Sequence, residues 1–287
     1  MNINWYPGHM KKTRESLKES MAMVDVVYEL LDARVPISSE NPIIDEIVKD
    51  KPRIKILNKF DLADNHVNKL WKDYFKGKGI DTVFMDASTG KGINELTKLT
   101  FEKTKEKRDN YKAKGVSNKP IRVMIIGVPN VGKSTLINTL SGRKGTKIGN
   151  KPGITRTNQW IKTKDGLQLL DTPGILWPKF DNKKVGLNLA FVGTIEEGAL
   201  DNETLALRLV EKLLQTYPEK LSSRYKVDVE GKPPLEAMES IGFKRGCIIK
   251  GGEIDYTKVS EIILDEFRKS KIGNISLEKP EDSVEYE

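Results

Sequence analysis

Short apolar runs alternate along this chain with longer stretches whose apolar residues recur every three or four positions. The runs at residues 24–31, 53–57, 82–85 and 121–126 read as strands buried on both faces. Between them, residues 42–49, 66–76 and 93–107 read as helices. Residues 134–140 open a further helix with Leu136, Ile137 and Leu140 on one side. Strands alternating with helices predict a doubly wound α/β fold, with a parallel sheet covered on both faces. Residues 160–163 and 167–170, split by Lys164-Asp165-Gly166, predict an antiparallel hairpin.

Beyond Pro178 the period becomes helical throughout. Asn202 is placed to cap a helix carrying Leu205, Leu209, Val210, Leu213 and Leu214, which ends before Pro218. Leu235, Met238 and Ile241 mark a second stripe, and Val259, Ile262, Ile263 and Phe267 a third. A short basic helix is expected at 9–22. The acidic segment 277–287 has the composition of a disordered tail.

Composition narrows the function classes. At 287 residues the chain is long enough for a sizeable core and two domains. The net charge of +8 suits a phosphate-rich partner, although a basic surface alone argues only weakly for RNA. Lys244, Arg245, Lys250, Arg268, Lys269 and Lys271 form a candidate RNA face, or complement helix ends. The single cysteine, Cys247, excludes an internal disulfide and fits a reducing, cytoplasmic setting; it reads as a buried small residue. No apolar window approaches the roughly 18–20 residues of a membrane span, so no membrane partner is expected.

Three short motifs carry the chemistry. Gly127 to Ser134 reads GxxxxGKS between a strand and a helix, which is the frame of a phosphate-binding loop. Its backbone N–H groups at Asn130, Val131, Gly132, Lys133, Ser134 and Thr135 would surround an anion. Lys133 would add charge toward the β- and γ-phosphates, and Ser134 would offer its hydroxyl to Mg²⁺. Asp171-Thr172-Pro173-Gly174 follows a strand: Asp171 would hold Mg²⁺ through a water and Gly174 would approach the γ-phosphate. Taken alone it is also an ordinary Pro-Gly turn. Asn58-Lys59-Phe60-Asp61 closes the strand at 53–57. A carboxylate at Asp61 can accept from both the ring N–H and the exocyclic amine of guanine, a donor pair adenine lacks. Asp86-Ala87-Ser88, after the strand at 82–85, is similar to a loop whose backbone reads the guanine oxygen, with Asp86 where a serine is usual.

The base-reading motif precedes the phosphate loop, the reverse of the Ras order. A sheet packs by contact and not by chain order, so such a rotation needs only a new linker between the old ends. The rotated order, the start Asn4-Trp-Tyr-Pro-Gly-His-Met-Lys-Lys12, the stretch Asp32-Ala-Arg-Val-Pro36 and the segment Lys151-Pro-Gly-Ile-Thr155 resemble the YlqF-type circularly permuted GTPases along essentially the whole chain. The resemblance implies a permuted GTPase domain at 1–178, with a base-reading half at 24–102, a linker at 103–119 and a phosphate-loop and switch half at 120–178. A helical, RNA-contacting domain at 179–276 and the tail at 277–287 would follow.

It further implies Mg²⁺-dependent GTP hydrolysis, slow alone and stimulated by a precursor of the large ribosomal subunit and its rRNA, in a monomeric protein. Thr155 would be the switch threonine on Mg²⁺ and the γ-phosphate, with Thr157 as substitute. Asn130 would be a ligand for K⁺ beside Mg²⁺, or a plain loop residue. Ile175 stands where Ras-type enzymes carry the glutamine that orients water. His9 is therefore a candidate for aligning water once a partner docks; a structural or RNA-contacting role is the alternative. His66 reads as a solvated residue at a helix start. The rival functions are an RNA-binding module with an inert nucleotide domain, a tRNA-modification-type GTPase, and an ATPase.

Overall fold

A computed structural model of the chain describes residues 15, 17–48, 51–116, 119–142, 159–172, 174, 182–195 and 201–285. Six strands form one sheet in the order β3-β2-β1-β4-β6-β5. They are β1 (Val26–Asp32), β2 (Arg53–Asn58), β3 (Thr82–Met85), β4 (Ile121–Gly127), β5 (Gln159–Lys162) and β6 (Leu167–Asp171). All neighbours run parallel except β5, which pairs antiparallel with β6 as the hairpin pattern predicts.

The register fixes the site. Asp32 pairs with Asn58, Asn58 with Met85, Leu30 with Gly127, and Ile125 with Asp171. The carboxyl ends of five parallel strands therefore finish along one edge, and successive strands are added in opposite directions on either side of the β1–β4 junction. Ligands of open α/β sheets bind outside such a switch point. This is the physical content of the permutation: β1 to β3 come first in sequence, yet they lie against β4 as hydrogen bonding requires.

The first group of helices is α1 (Pro36–Ser39), α2 (Ile43–Val48), α3 (Asn65–Gly77), α4 (Ile93–Lys103), α5 (Lys105–Ala113) and α6 (Lys133–Ser141). The stretch 93–107, expected as one helix, breaks at Thr104. The Thr104 hydroxyl bonds back to the Thr100 carbonyl at 2.7 Å. That local bond competes with regular helix propagation. Asp64 caps α3, accepting from the N–H groups of His66 and Val67, and His66 is exposed in the first turn.

The second group is α7 (Lys183–Phe191), α8 (Asn202–Thr216), α9 (Pro218–Tyr225), α10 (Pro234–Arg245) and α11 (Tyr256–Arg268). Asp201, not Asn202, caps α8, accepting from Thr204 N at 2.9 Å. The apolar stripes pack together, and the resulting core runs without a break from the sheet face into these helices through Val185, Leu189 and Phe191. Cys247 is fully buried, as read from the sequence.

The expectation of a disordered tail from 277 fails for residues 277–285. Leu277 and Glu278 are buried, and Pro280–Glu285 forms a 3₁₀ turn. Composition was misleading because the buried acid is matched one by one with donors. Glu278 accepts from the N–H groups of Ile37 and Ser38 and from Asn188 Nδ2 at 2.9 Å.

Candidate nucleotide site

The phosphate loop begins where β4 ends. Gly127 has φ +155°, and a Cβ there would lie 2.6 Å from the Leu30 carbonyl oxygen on the neighbouring strand. Asn130 sits in the left-handed region at φ 57°. Lys133, buried, is the first residue of α6, and its ammonium donates to the carbonyls of Gly127 (3.0 Å) and Val128 (2.9 Å). Loop and lysine thus form one closed turn ahead of a helix N-terminus, a ready site for anions.

Val131 is buried, and Ser134 and Thr135 are half-buried in the first turn of α6. The Ser134 hydroxyl has no hydrogen-bond partner among the described residues. Gly174 of the DTPG stretch lies against this loop: a Cβ on it would be 2.9 Å from Pro129 Cα and 3.1 Å from Lys133 Nζ. Asp171 ends β6 beside Ile125 of the phosphate-loop strand. His9, Thr155, Thr157 and Ile175 lie outside the described residues.

The base-reading motif closes directly onto this loop. Asn58 is buried and uses both ends of its amide: Nδ2 donates to the Val131 carbonyl at 2.7 Å, and Oδ1 accepts from Ala87 N–H at 3.0 Å. One side chain thereby joins the phosphate loop, the NKFD turn and the loop after β3. The crossing is so close that a Cβ on Gly132, whose φ is +109°, would lie 2.2 Å from Asn58 Nδ2. Lys59 adds a second tie, donating to the Asn130 carbonyl at 2.8 Å. Thr139 adds a third, from α6 to the Ala87 carbonyl at 2.7 Å.

Other predicted base contacts have defined places. Asp86 turns its carboxylate into its own loop, accepting from the N–H and hydroxyl groups of Ser88 and Thr89. It organises the loop from within. Ala87 and Ser88 each spend an N–H on a protein side chain, Asn58 and Asp86. Phe60 packs into the α3 cluster with the Lys91 ammonium 4.9 Å from its ring centre, so its role is to seat the turn. Asp61 is exposed at the corner. Partial shielding first, and then the Asp86 carboxylate, hold it above the ordinary aspartate range. Such a carboxylate gains from paired donors. Asn130 presents its backbone carbonyl to Lys59 and its side-chain Nδ2 to the Gly193 carbonyl at 2.8 Å.

Sequence reading gave no individual role to Asp32 and Arg34. Asp32 is buried at the end of β1, where Arg34 grips it with two bonds, Nε to Oδ1 at 2.9 Å and Nη2 to Oδ2 at 2.8 Å. The Lys59 ammonium stands 3.1 Å from Asp32 Oδ2. Burial alone would raise the Asp32 carboxyl, but Arg34 and then Lys59 hold it well below its usual range. Burial holds Lys59 in turn below its own. The signal was available: an Asp and an Arg two apart at the end of a mostly apolar strand must pair or stay in water.

Two members of the candidate RNA face are occupied internally. Arg245 pairs with Glu266 at 2.9 Å, and Arg268 donates to the carbonyls of Phe191 and Ala190 at 3.2 Å each. Lys269 pairs with Asp265.

A phosphate loop, a DxxG glycine against its lysine and an NKxD turn sewn to the same loop, in rotated chain order on a doubly wound sheet, define a circularly permuted P-loop GTPase, a GTP hydrolase. Comparison with known proteins agrees. A family model described as 50S ribosome-binding GTPase matches residues 122–232. Ribosome biogenesis GTPase A of Bacillus licheniformis is 46% identical over 282 residues, covering 98% of this chain and 100% of that protein. The Thermotoga maritima protein of the same name is 31% identical over 283 residues, covering 98% and 95%. A GDP-bound YlqF structure superposes with TM-score 0.66 at 27% identity, covering 93% of this chain and 100% of the other. GNP-bound YlqF from T. maritima superposes with TM-score 0.64 at 25% identity, covering 94% and 99%. The chain belongs to the ribosome biogenesis GTPase A family.

Proposed function

We propose that this GTPase serves ribosome assembly as a switch: its GTP form binds a late precursor of the large subunit, and hydrolysis releases it. The observation that carries the reading is Asn58, whose amide joins the guanine-reading turn to the phosphate loop at 2.7 Å. One nucleotide laid along the sheet edge would meet both. The relatives' names and the net charge of +8 support a ribosomal, phosphate-rich partner.

Phosphoryl transfer to water depends on position and charge neutralisation more than on covalent help. The loop N–H groups and Lys133 would hold the β- and γ-phosphates. Asp61 would select guanine, and Asn58 and Lys59 would hold the pocket closed. The residues present fit Mg²⁺: the hydroxyl of Ser134 is uncommitted among the described residues, and Asp171 ends the adjacent strand. A magnesium site built from few side chains and the phosphates themselves is the usual arrangement. Bound there, Mg²⁺ would neutralise charge on the phosphate oxygens. Thr155 would be its switch ligand, and His9 would align water after docking. Asn130 would face K⁺ through its amide oxygen, since its nitrogen is held by Gly193.

The test is capture of ribosomal particles from the same cell by the tagged chain with GTP, GDP or a non-hydrolysable GTP analogue. The reading expects large-subunit precursors with the analogue and few with GDP. Equal capture in all three states would reject the switch.

A further inference from the structure

The base-reading corner is held from behind by the far end of the chain. Four consecutive residues, 274–277, each bond to the segment carrying Asp61 or to Arg34 beside it, and Glu278 follows onto α1. Asn274 Nδ2 donates to the carbonyl oxygen of Asp61 itself at 2.7 Å. Ile275 N–H donates to the Leu62 carbonyl at 3.1 Å. Ser276 Oγ accepts from Asp64 N–H at 3.1 Å. Leu277 N–H donates to the Arg34 carbonyl at 2.8 Å. Glu278 is locked through its carboxylate to α1 and Asn188, and its carbonyl accepts from Trp71 Nε1 at 3.2 Å.

The anchor is built to last. Ile275, Ser276, Leu277 and Glu278 are all buried, and Lys220 of α9 ties the Asn274 carbonyl to the Asp64 carboxylate. Asn274 itself is fixed by Ser270, whose hydroxyl donates to its Oδ1 at 3.1 Å. Asn58 ties the start of the NKFD turn to the phosphate loop, and these bonds tie its end at Asp61 to Asp64, so the turn is held at both ends.

We infer that residues 274–278 set nucleotide specificity at a distance, with Asn274 as the residue that positions Asp61. The inference rests on the reading of Asp61 as the guanine acceptor. A carboxylate discriminates guanine from hypoxanthine only while it is aimed at the exocyclic amine; a turn free to shift loses the amine contact first. The strap therefore contributes to base selection without touching nucleotide, and through α9 and α11 it connects that selection to the helical half.

The test is equilibrium binding of GDP and of IDP, which lacks the exocyclic amine, to the full chain and to Asn274→Asp. That change keeps the shape but faces a carboxylate toward the Asp61 carbonyl. The wild-type chain is expected to prefer GDP by about a hundredfold, and Asn274→Asp to lower that ratio about tenfold. General loosening would weaken both ligands equally and leave the ratio alone, so an unchanged ratio overturns the inference. Should Asn274→Asp fail to fold, Ser276→Ala carries the same test with a drop of about threefold expected. A wild-type chain with no GDP preference would instead overturn the guanine reading of Asp61, and the strap's role with it.

Discussion

The phosphate loop and the corner proposed to read the base are built in opposite ways. The loop is a single run from Gly127 to Ser134, with its lysine folded onto its own carbonyls. The corner is gathered from five places: Asp32 and Arg34, the NKFD turn, the loop at Asp86, the Val131 carbonyl, and the strap at 274–278. A site made of backbone needs only local spacing. A site made of aimed side chains needs support from wherever the fold can supply it. Permutation sharpens the contrast, because moving the chain ends leaves a contiguous loop untouched but changes which segments are free to brace the corner.

The largest effect is expected where the two regions touch. Gly132→Ala places a Cβ 2.2 Å from Asn58 Nδ2 at φ +109°, so both loop and corner must shift. Nucleotide affinity should fall by about a hundredfold or more, measured by titration with fluorescent GDP. Near-normal affinity would show that the two regions are independent. Arg34→Leu attacks the corner alone. It leaves Asp32 buried with Lys59 as its remaining charged partner, which should destabilise the fold by about 3–5 kcal/mol in urea. Arg34→Lys should restore only part of this, since an ammonium cannot grip both carboxylate oxygens.

Much of this was legible and some was not, for identifiable reasons. The strands, the hairpin and the phosphate loop declare themselves because period and spacing are local properties. The NKFD turn was legible as a motif, but its two ties to the phosphate loop were not, since they join residues some seventy positions apart. The last two residues of the strap, Leu277 and Glu278, read as the start of a disordered tail and are buried. Glu278 looks like solvent-loving charge in a list of acids, and only the fold brings Ser38 and Asn188 to it. Likewise, Arg245 and Arg268 read as unpartnered cations until Glu266 and the end of α7 claim them.

A buried charge outside both regions supplies a control. Glu29 on β1 is buried, and neither carboxylate oxygen has a hydrogen-bond partner; Arg53 lies 3.5 Å away. Burial first, and then the Glu40 carboxylate, push its pKa up from 4.5 to about 7, against the pull of Lys55 and Arg53. A carboxyl raised in the folded state keeps its proton longer there than when unfolded. Its contribution is thus most favourable below about pH 4.5 and is lost as pH rises through 7. Glu29→Gln should stabilise the chain by up to about 3 kcal/mol at pH 8 and hardly at all near pH 4.5, with GDP affinity unchanged. A stability gain independent of pH would contradict the assignment. The smallest effect is expected from Thr139→Val, which removes the bond from α6 to the Ala87 carbonyl; about 1 kcal/mol of stability should go, with GDP affinity reduced severalfold at most.

The central claim is that a turn placed early in the chain and a loop placed late hold one guanine nucleotide between them. Its most direct measurement is the affinity of Asp61→Asn for GDP and for xanthosine diphosphate. Xanthine carries a carbonyl where guanine carries its amine, so an amide at 61 should reverse the preference, by about a hundredfold or more relative to the wild-type ratio, while Lys133 and its loop still hold the phosphates. If Asp61→Asn still favours GDP as the wild-type chain does, Asp61 does not read the base, and the account of the corner is wrong.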